Sequence, residues 1–197
     1  MFRITEYMHA LHARVAPDAA AAPRMRSGVA PGEGLSASGP RRLAGPVVIW
    51  NLVRRCNLTC RHCYSISADR DFAGELTTAE VLAVMDDLKR FRVPVLILSG
   101  GEPLLRADIF DIARRAKELG FYTALSTNGT LIDAGNIERI AAIDFDYVGV
   151  SLDGLAATHD RFRRRPGAFA ASLAGIRLCR DRGLKVGVRY TLTQDNA

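Results

Sequence analysis

Residues 46–64 read PVVIWNLVRRCNLTCRHCY. The first seven are dominated by Val, Ile, Trp and Leu, a composition that favours a strand. The remainder places Cys56, Cys60 and Cys63 in one short loop with C-x3-C-x2-C spacing. Three cysteines within eight positions suit a soft metal centre in a reducing compartment better than a disulfide framework. A structural zinc would need a fourth ligand. His62 could supply it, but it stands between two of the cysteines and would have to turn inward beside them. An iron-sulfur cubane held by three cysteines instead leaves one iron open, as catalytic metal sites do. The spacing alone leaves both centres in play, with the cluster ahead.

Downstream, the apolar run 95–98 ends in Ser99-Gly100-Gly101-Glu102-Pro103. Glycines at a strand end let backbone groups approach a ligand, and a glutamate there can accept from an ammonium group. Residues 77–91 predict a helix, with Thr77 and Glu80 spaced for a capping box and an apolar stripe of Val81, Met85, Leu88 and Phe91. Helices are expected at 108–119, stopped by Gly120, at 136–143, and at 168–182, closed by Gly183; strands are expected at 122–126, 147–152 and 185–192. This alternation gives parallel βα units with right-handed crossovers, hence an α/β barrel-like domain from residue 45 to 197. In such folds chemistry sits at the C-terminal ends of the strands. The cysteine loop, the Gly-Gly-Glu-Pro turn, Ser126-Thr127-Asn128-Gly129 and Ser151-Leu152-Asp153-Gly154 all fall there.

Residues 2–15 carry apolar positions at helical spacing and predict a short amphipathic helix, whereas 16–44 are rich in Ala, Pro, Gly and Ser and read as a flexible linker. The 197 residues are 48% hydrophobic and 24% charged, the balance of a soluble globular protein, and no run is long and apolar enough for a membrane span. A cytoplasmic location is expected. The formal net charge of +6 fits an acidic small substrate, and without a recognition helix or basic tail no nucleic-acid partner is expected.

The joint pattern, R-C-N-L-T-C-R-H-C-Y followed one βα unit later by S-G-G-E-P-L-L, resembles the radical S-adenosylmethionine (SAM) superfamily from Pro46 onward. That resemblance implies a partial (β/α)6 barrel, truncated here after the fifth strand, which would be left as an exposed edge. It makes Cys56, Cys60 and Cys63 the ligands of a [4Fe-4S] cluster and puts His62 at the SAM adenine. It sets Gly100, Gly101 and Glu102 at the SAM amino group. Ser126, Asn128, Ser151 and Asp153 are implied near the ribose and methionyl part, and Arg163 at the SAM carboxylate. The implied chemistry is reductive cleavage of SAM to a 5'-deoxyadenosyl radical, with an electron from a carrier such as ferredoxin or flavodoxin.

Within the superfamily, residues 46–64, F-R-V-P-V-L-I-L-S-G-G-E-P-L-L and L-G-F-Y-T-A-L-S-T-N-G-T-L-I resemble the radical SAM enzymes of haem d1 biosynthesis. This implies an acidic tetrapyrrole substrate, a decarboxylated sirohaem that loses two propionate side chains, and a further cysteine-rich, cluster-binding region after residue 197. Relatives that decarboxylate haem precursors or modify ribosomal peptides share these motifs. A non-catalytic module holding zinc or an electron-transfer cluster is the alternative of another class.

Several residues have plainer readings. Asn128-Gly129 is also a good turn pair, Asp153 could cap the following segment, and His159 reads as a surface or capping residue. Arg54, Arg55, Arg61 and the run 161–165 read as solvated, the last as a loop leading into a helix. Cys179 reads as a small buried hydrophobe beside Phe169, Leu173 and Ile176.

Overall fold

The computed structural model describes residues 45–196. The helix expected at 2–15 and the linker at 16–44 lie outside the described residues. Five parallel strands follow one another in chain order across a single sheet: β1 (Val47–Asn51), β2 (Val95–Ser99), β3 (Tyr122–Thr127), β4 (Tyr147–Ser151) and β5 (Val186–Arg189). Helices α1 (Thr78–Arg90), α2 (Ile109–Glu118), α3 (Ile137–Ile143), α4 (Ala156–Arg163) and α5 (Ala168–Asp181) make the crossovers. This is the expected partial α/β barrel, with β5 at an edge.

The two faces of the sheet have different chemistry. Leu96, Leu98, Leu125, Val148 and Val150 point to the helices and join Val81, Met85, Ile112 and Ile140 in one core. On the other face the register carries Ser126 beside Gly149 and Gly149 beside Gly187, a row of small and polar residues. Period-two alternation along each strand thus covers one side and hollows the other.

Thr77 caps α1 as expected: its hydroxyl accepts from the Glu80 N–H at 3.3 Å, and the Glu80 carboxylate accepts from the Thr77 N–H at 2.8 Å. Cys179 is buried, as expected. The fully buried face of α5, however, is Ala168, Ser172, Gly175 and Cys179, with Phe169, Leu173 and Ile176 half-buried at its flank. Small residues are needed because the helix lies close on the loop after β3, where a Cβ on Gly175 would stand 2.5 Å from the Gly129 carbonyl oxygen.

Three expectations are corrected. Phe91 is 69% exposed, because α1 ends there and the chain turns at Arg92, whose φ is 61°. β5 stops at Arg189, since the following segment folds back so that the Thr191 N–H reaches Asp153. The run 161–165 keeps Arg161, Arg164 and Arg165 exposed as expected but is not a loop throughout: it contains the last turn of α4, which buries only His159, Phe162 and Arg163 and so shows no apolar stripe.

Candidate functional site

The cysteine loop is an extension of the sheet. Beyond the last strand pair, Asn51 with Ser99, the two chains continue to bond: the Leu52 N–H donates to the Ser99 carbonyl, Gly101 to Val53 at 2.7 Å and Glu102 to Arg55 at 2.9 Å. A Cβ on Gly100 would lie 2.4 Å from the Val53 oxygen, and one on Gly101 2.4 Å from the Arg55 oxygen. The glycine pair therefore serves first to seat the cysteine loop against the end of β2. Cys56 follows directly, its N–H donating to Ala68.

Glu102 is fully buried and ties β2 to β3. One carboxylate oxygen accepts from the Thr127 hydroxyl (2.8 Å) and the Leu104 N–H (3.2 Å), the other from the Asn128 N–H (2.8 Å). Three of its roughly four acceptor sites are thus taken by protein. Burial pushes its pKa up while these donors pull it down, burial prevailing. Asn128 makes the expected turn and also reaches the cysteine loop. Its Oδ1 accepts from the Thr130 N–H and hydroxyl in a turn, while its Nδ2 donates to Asn57 Oδ1 at 2.9 Å and lies 3.9 Å from the Cys56 sulfur. Ser126 sits 3.2 Å, hydroxyl to hydroxyl, from Ser99.

The end of β4 converges on the same loop through Asp153, which is fully buried and caps no helix. Its Oδ1 accepts from the Thr191 N–H; its Oδ2 faces Arg163 Nη2 at 2.5 Å and His62 Nε2 at 3.4 Å. Arg163 in turn donates through Nη1 to the Cys60 sulfur at 3.4 Å. His159, expected at the surface, is fully buried, and its Nδ1 accepts from the Asp153 N–H at 3.1 Å. Burial holds both His62 and His159 below the ordinary histidine pKa, so both rings are neutral near pH 7. The signal for His159 lay six residues away, in the buried strand-end aspartate that it braces.

All four cysteines are free. The Cys56 sulfur accepts from the Leu58 N–H at 3.4 Å and the Cys60 sulfur from Arg163. Donors aimed at sulfur suit thiolates that carry charge in a metal centre. Burial pushes the Cys56 thiol up to about 11, so a bound cation is what would keep it ionised. His62 turns to Asp153 and packs on Phe162. Three cysteines in one loop, with donors aimed at two of their sulfurs, suit an iron-sulfur cluster. Arg55 spends its charge on Asp69 and Asp71, and Arg54 lies over Phe72.

At the end of β5, Arg189 donates through Nη2 to the Ser151 hydroxyl at 3.0 Å. It was not singled out from the sequence, although its position at a strand end is the same signal that located the others. A separate cleft of about 300 Å³, lined by Val53, Phe72, Leu105 and Arg106 among others, contains none of the expected site residues.

A cluster-binding loop and polar strand ends gathered at one rim of an open parallel α/β barrel define an enzyme class that works with a metal cluster and a small bound cofactor. Residues 50–195 match the radical SAM superfamily, and the chain belongs to it. The superfamily's cofactors are a [4Fe-4S] cluster and SAM.

Over 151 residues it is 58% identical to pre-heme d1 synthase of Dinoroseobacter shibae, covering 77% of this chain and 37% of that protein. It is 48% identical to Fe-coproporphyrin III synthase of Methanosarcina barkeri, covering 77% and 38%. The chain thus spans under half the length of these relatives. The fold matches Streptococcus suis SuiB bound to S-adenosylmethionine with a TM-score of 0.65 at 18% identity, covering 78% of this chain and 36% of that one. Among the described residues no helix is long and apolar enough to cross a membrane.

Proposed function

We propose that the chain is the SAM-cleaving core of an enzyme of haem d1 formation, which removes propionate side chains from a decarboxylated sirohaem. The observation that carries this reading is the 58% identity to pre-heme d1 synthase over 151 residues. Cys56, Cys60 and Cys63 would hold the cluster. His62, Gly100, Gly101, Glu102, Ser126, Asn128, Ser151, Asp153 and Arg163 would line the SAM site. When bound, the cofactors supply a one-electron cleavage of SAM and the carbon radical that abstracts hydrogen from substrate.

The chain's own residues hold and orient. The Leu58 N–H and Arg163 stabilise charge on the sulfurs of Cys56 and Cys60. Asp153 fixes the Arg163 guanidinium from one side while its other terminal nitrogen reaches the Cys60 sulfur, tying the end of β4 to the cysteine loop. Glu102 locks the ends of β2 and β3 together, which sets the spacing of the strand-end groups. An acidic tetrapyrrole is the substrate, a small one-electron carrier such as ferredoxin or flavodoxin the reductant, and a cytoplasmic setting suits the free thiols.

The test uses the full-length protein, reconstituted anaerobically and supplied with SAM, dithionite and decarboxylated sirohaem. Formation of 5'-deoxyadenosine with loss of two propionates from the tetrapyrrole is expected. Absence of 5'-deoxyadenosine would overturn the enzyme reading; turnover of iron coproporphyrin in place of the sirohaem would move the assignment toward the second relative.

A further inference from the structure

Two arginines reach the site, Arg163 from the end of α4 and Arg189 from the end of β5, and their circumstances differ. Arg163 is charge-matched by the buried carboxylate of Asp153. Arg189 is not. Among the described residues no carboxylate forms an ion pair with it. Among the described residues its one hydrogen bond goes to the neutral Ser151 hydroxyl, and its Nε is shielded from solvent with no partner among them. Glu102 is near enough to feel its charge but is already held by three donors from β3 and the turn after β2.

The sheet is shaped to keep this side chain in place. A Cβ on Gly149 would lie 3.1 Å from Arg189 Cδ and 3.2 Å from its Nε, and a Cβ on Gly187 would lie within 2.7 Å of the Tyr147 ring. The two glycines, neighbours in the β4–β5 register, let Arg189 and Tyr147 lie flat against the inner face. A guanidinium with five N–H donors in a fixed fork, pinned beside the strand ends and lacking a counter-charge, is a receptor for a planar anion. Leaving it partly buried and unmatched destabilises the free protein, and an arriving carboxylate relieves that.

We propose that Arg189 binds a carboxylate of the substrate, with the Ser151 hydroxyl steadying the guanidinium. This rests on the tetrapyrrole reading above, whose substrates carry several acid side chains. Such an anchor at the end of β5 holds one acid group beside the strand ends that carry the other site residues and so fixes which side chain is presented to the cofactors. The second source of a carboxylate in this site is SAM itself, and the experiment separates the two.

On reconstituted full-length protein, binding of iron coproporphyrin III, a tetracarboxylate, is followed by the Soret shift, with the corresponding tetraamide as a neutral probe; SAM binding is measured separately by equilibrium dialysis. Arg189→Gln is expected to weaken the tetracarboxylate about tenfold to a hundredfold, as loss of a charge-assisted contact does. It should leave the tetraamide and SAM within about twofold, and Arg189→Lys, which keeps charge without the fork, should fall between. Iron content and melting temperature confirm that the variants fold. Equal porphyrin binding by wild type and Arg189→Gln overturns this inference alone. Weakened SAM binding with unchanged porphyrin binding overturns it by assigning Arg189 to the cofactor. Failure of the wild type to bind either the porphyrin or decarboxylated sirohaem removes the tetrapyrrole reading and this inference with it.

Discussion

Replacing Gly101 by alanine tests whether the sheet and the cysteine loop are one structure. The new methyl would stand 2.4 Å from the Arg55 carbonyl oxygen and 2.6 Å from that of Arg54, where ordinary contact begins at 3.4 Å. All of the obstructing atoms are backbone, so one chain must move by about 1 Å. That shift breaks the bonds from Gly101 to Val53 and from Glu102 to Arg55, each worth about 1 kcal/mol net. The overlap itself adds about 1–3 kcal/mol. A total of about 3–5 kcal/mol lowers the melting temperature by roughly 6–20 °C in a domain of this size. Because Arg55 directly precedes Cys56, iron content after anaerobic reconstitution should fall as well. Gly183→Ala is the control: its φ of 73° makes alanine strained, but nothing lies within 4 Å, so stability should drop by about 1–2 kcal/mol with iron content unchanged. A Gly101→Ala protein that melts within about 2 °C of wild type and binds full iron would refute the coupling.

Cys60→Ala should abolish the brown chromophore near 400 nm (about that wavelength for thiolate-bound clusters); full colour and iron would sink the ligand assignment. His159 gives a pH dependence in the metal-free protein. Its pKa is depressed in the folded state, so below about pH 6.5 the unfolded chain binds a proton that the folded chain refuses, and stability falls with pH. Melting curves of wild type and His159→Gln should diverge least near pH 5 and most near neutrality (roughly the histidine window); parallel curves would contradict a buried neutral imidazole. Thr77→Ala removes the α1 cap and should lower stability by about 1 kcal/mol, seen by denaturant titration, without changing iron content.

The elements that the sequence revealed are those whose local signals agree with their surroundings. Thr77 and Glu80 are a capping pair in sequence and in space, and the apolar strands 95–98 and 122–126 are buried on the helix side. Helix α4 was missed because two of its three buried residues are His159 and Arg163, which pack through polar contacts with Asp153 and the cysteine loop. The glycines at 100 and 101 were expected to admit a ligand. That they admit a second backbone depends on parallel pairing between residues 48 positions apart, which no local pattern encodes. Arg189 and the run 161–165 show the same limit: charge marks a residue as exposed by default, and only the three-dimensional arrangement shows which arginines turn inward.

The loop that carries the cysteines has one end stitched into the β ladder and another that is exposed to solvent. Cys56 is buried behind three ladder bonds, Cys60 is half-buried, and Cys63 is exposed, with Tyr64 and Ile66 beyond it nearly 80% exposed. Such a gradient gives the docking of iron and sulfide a direction. If the three hold a cluster, Cys56 would be its inner, ladder-anchored ligand and Cys63 its outer one, reachable from solvent. Oxidative damage would enter at the outermost sulfur and reach the innermost last.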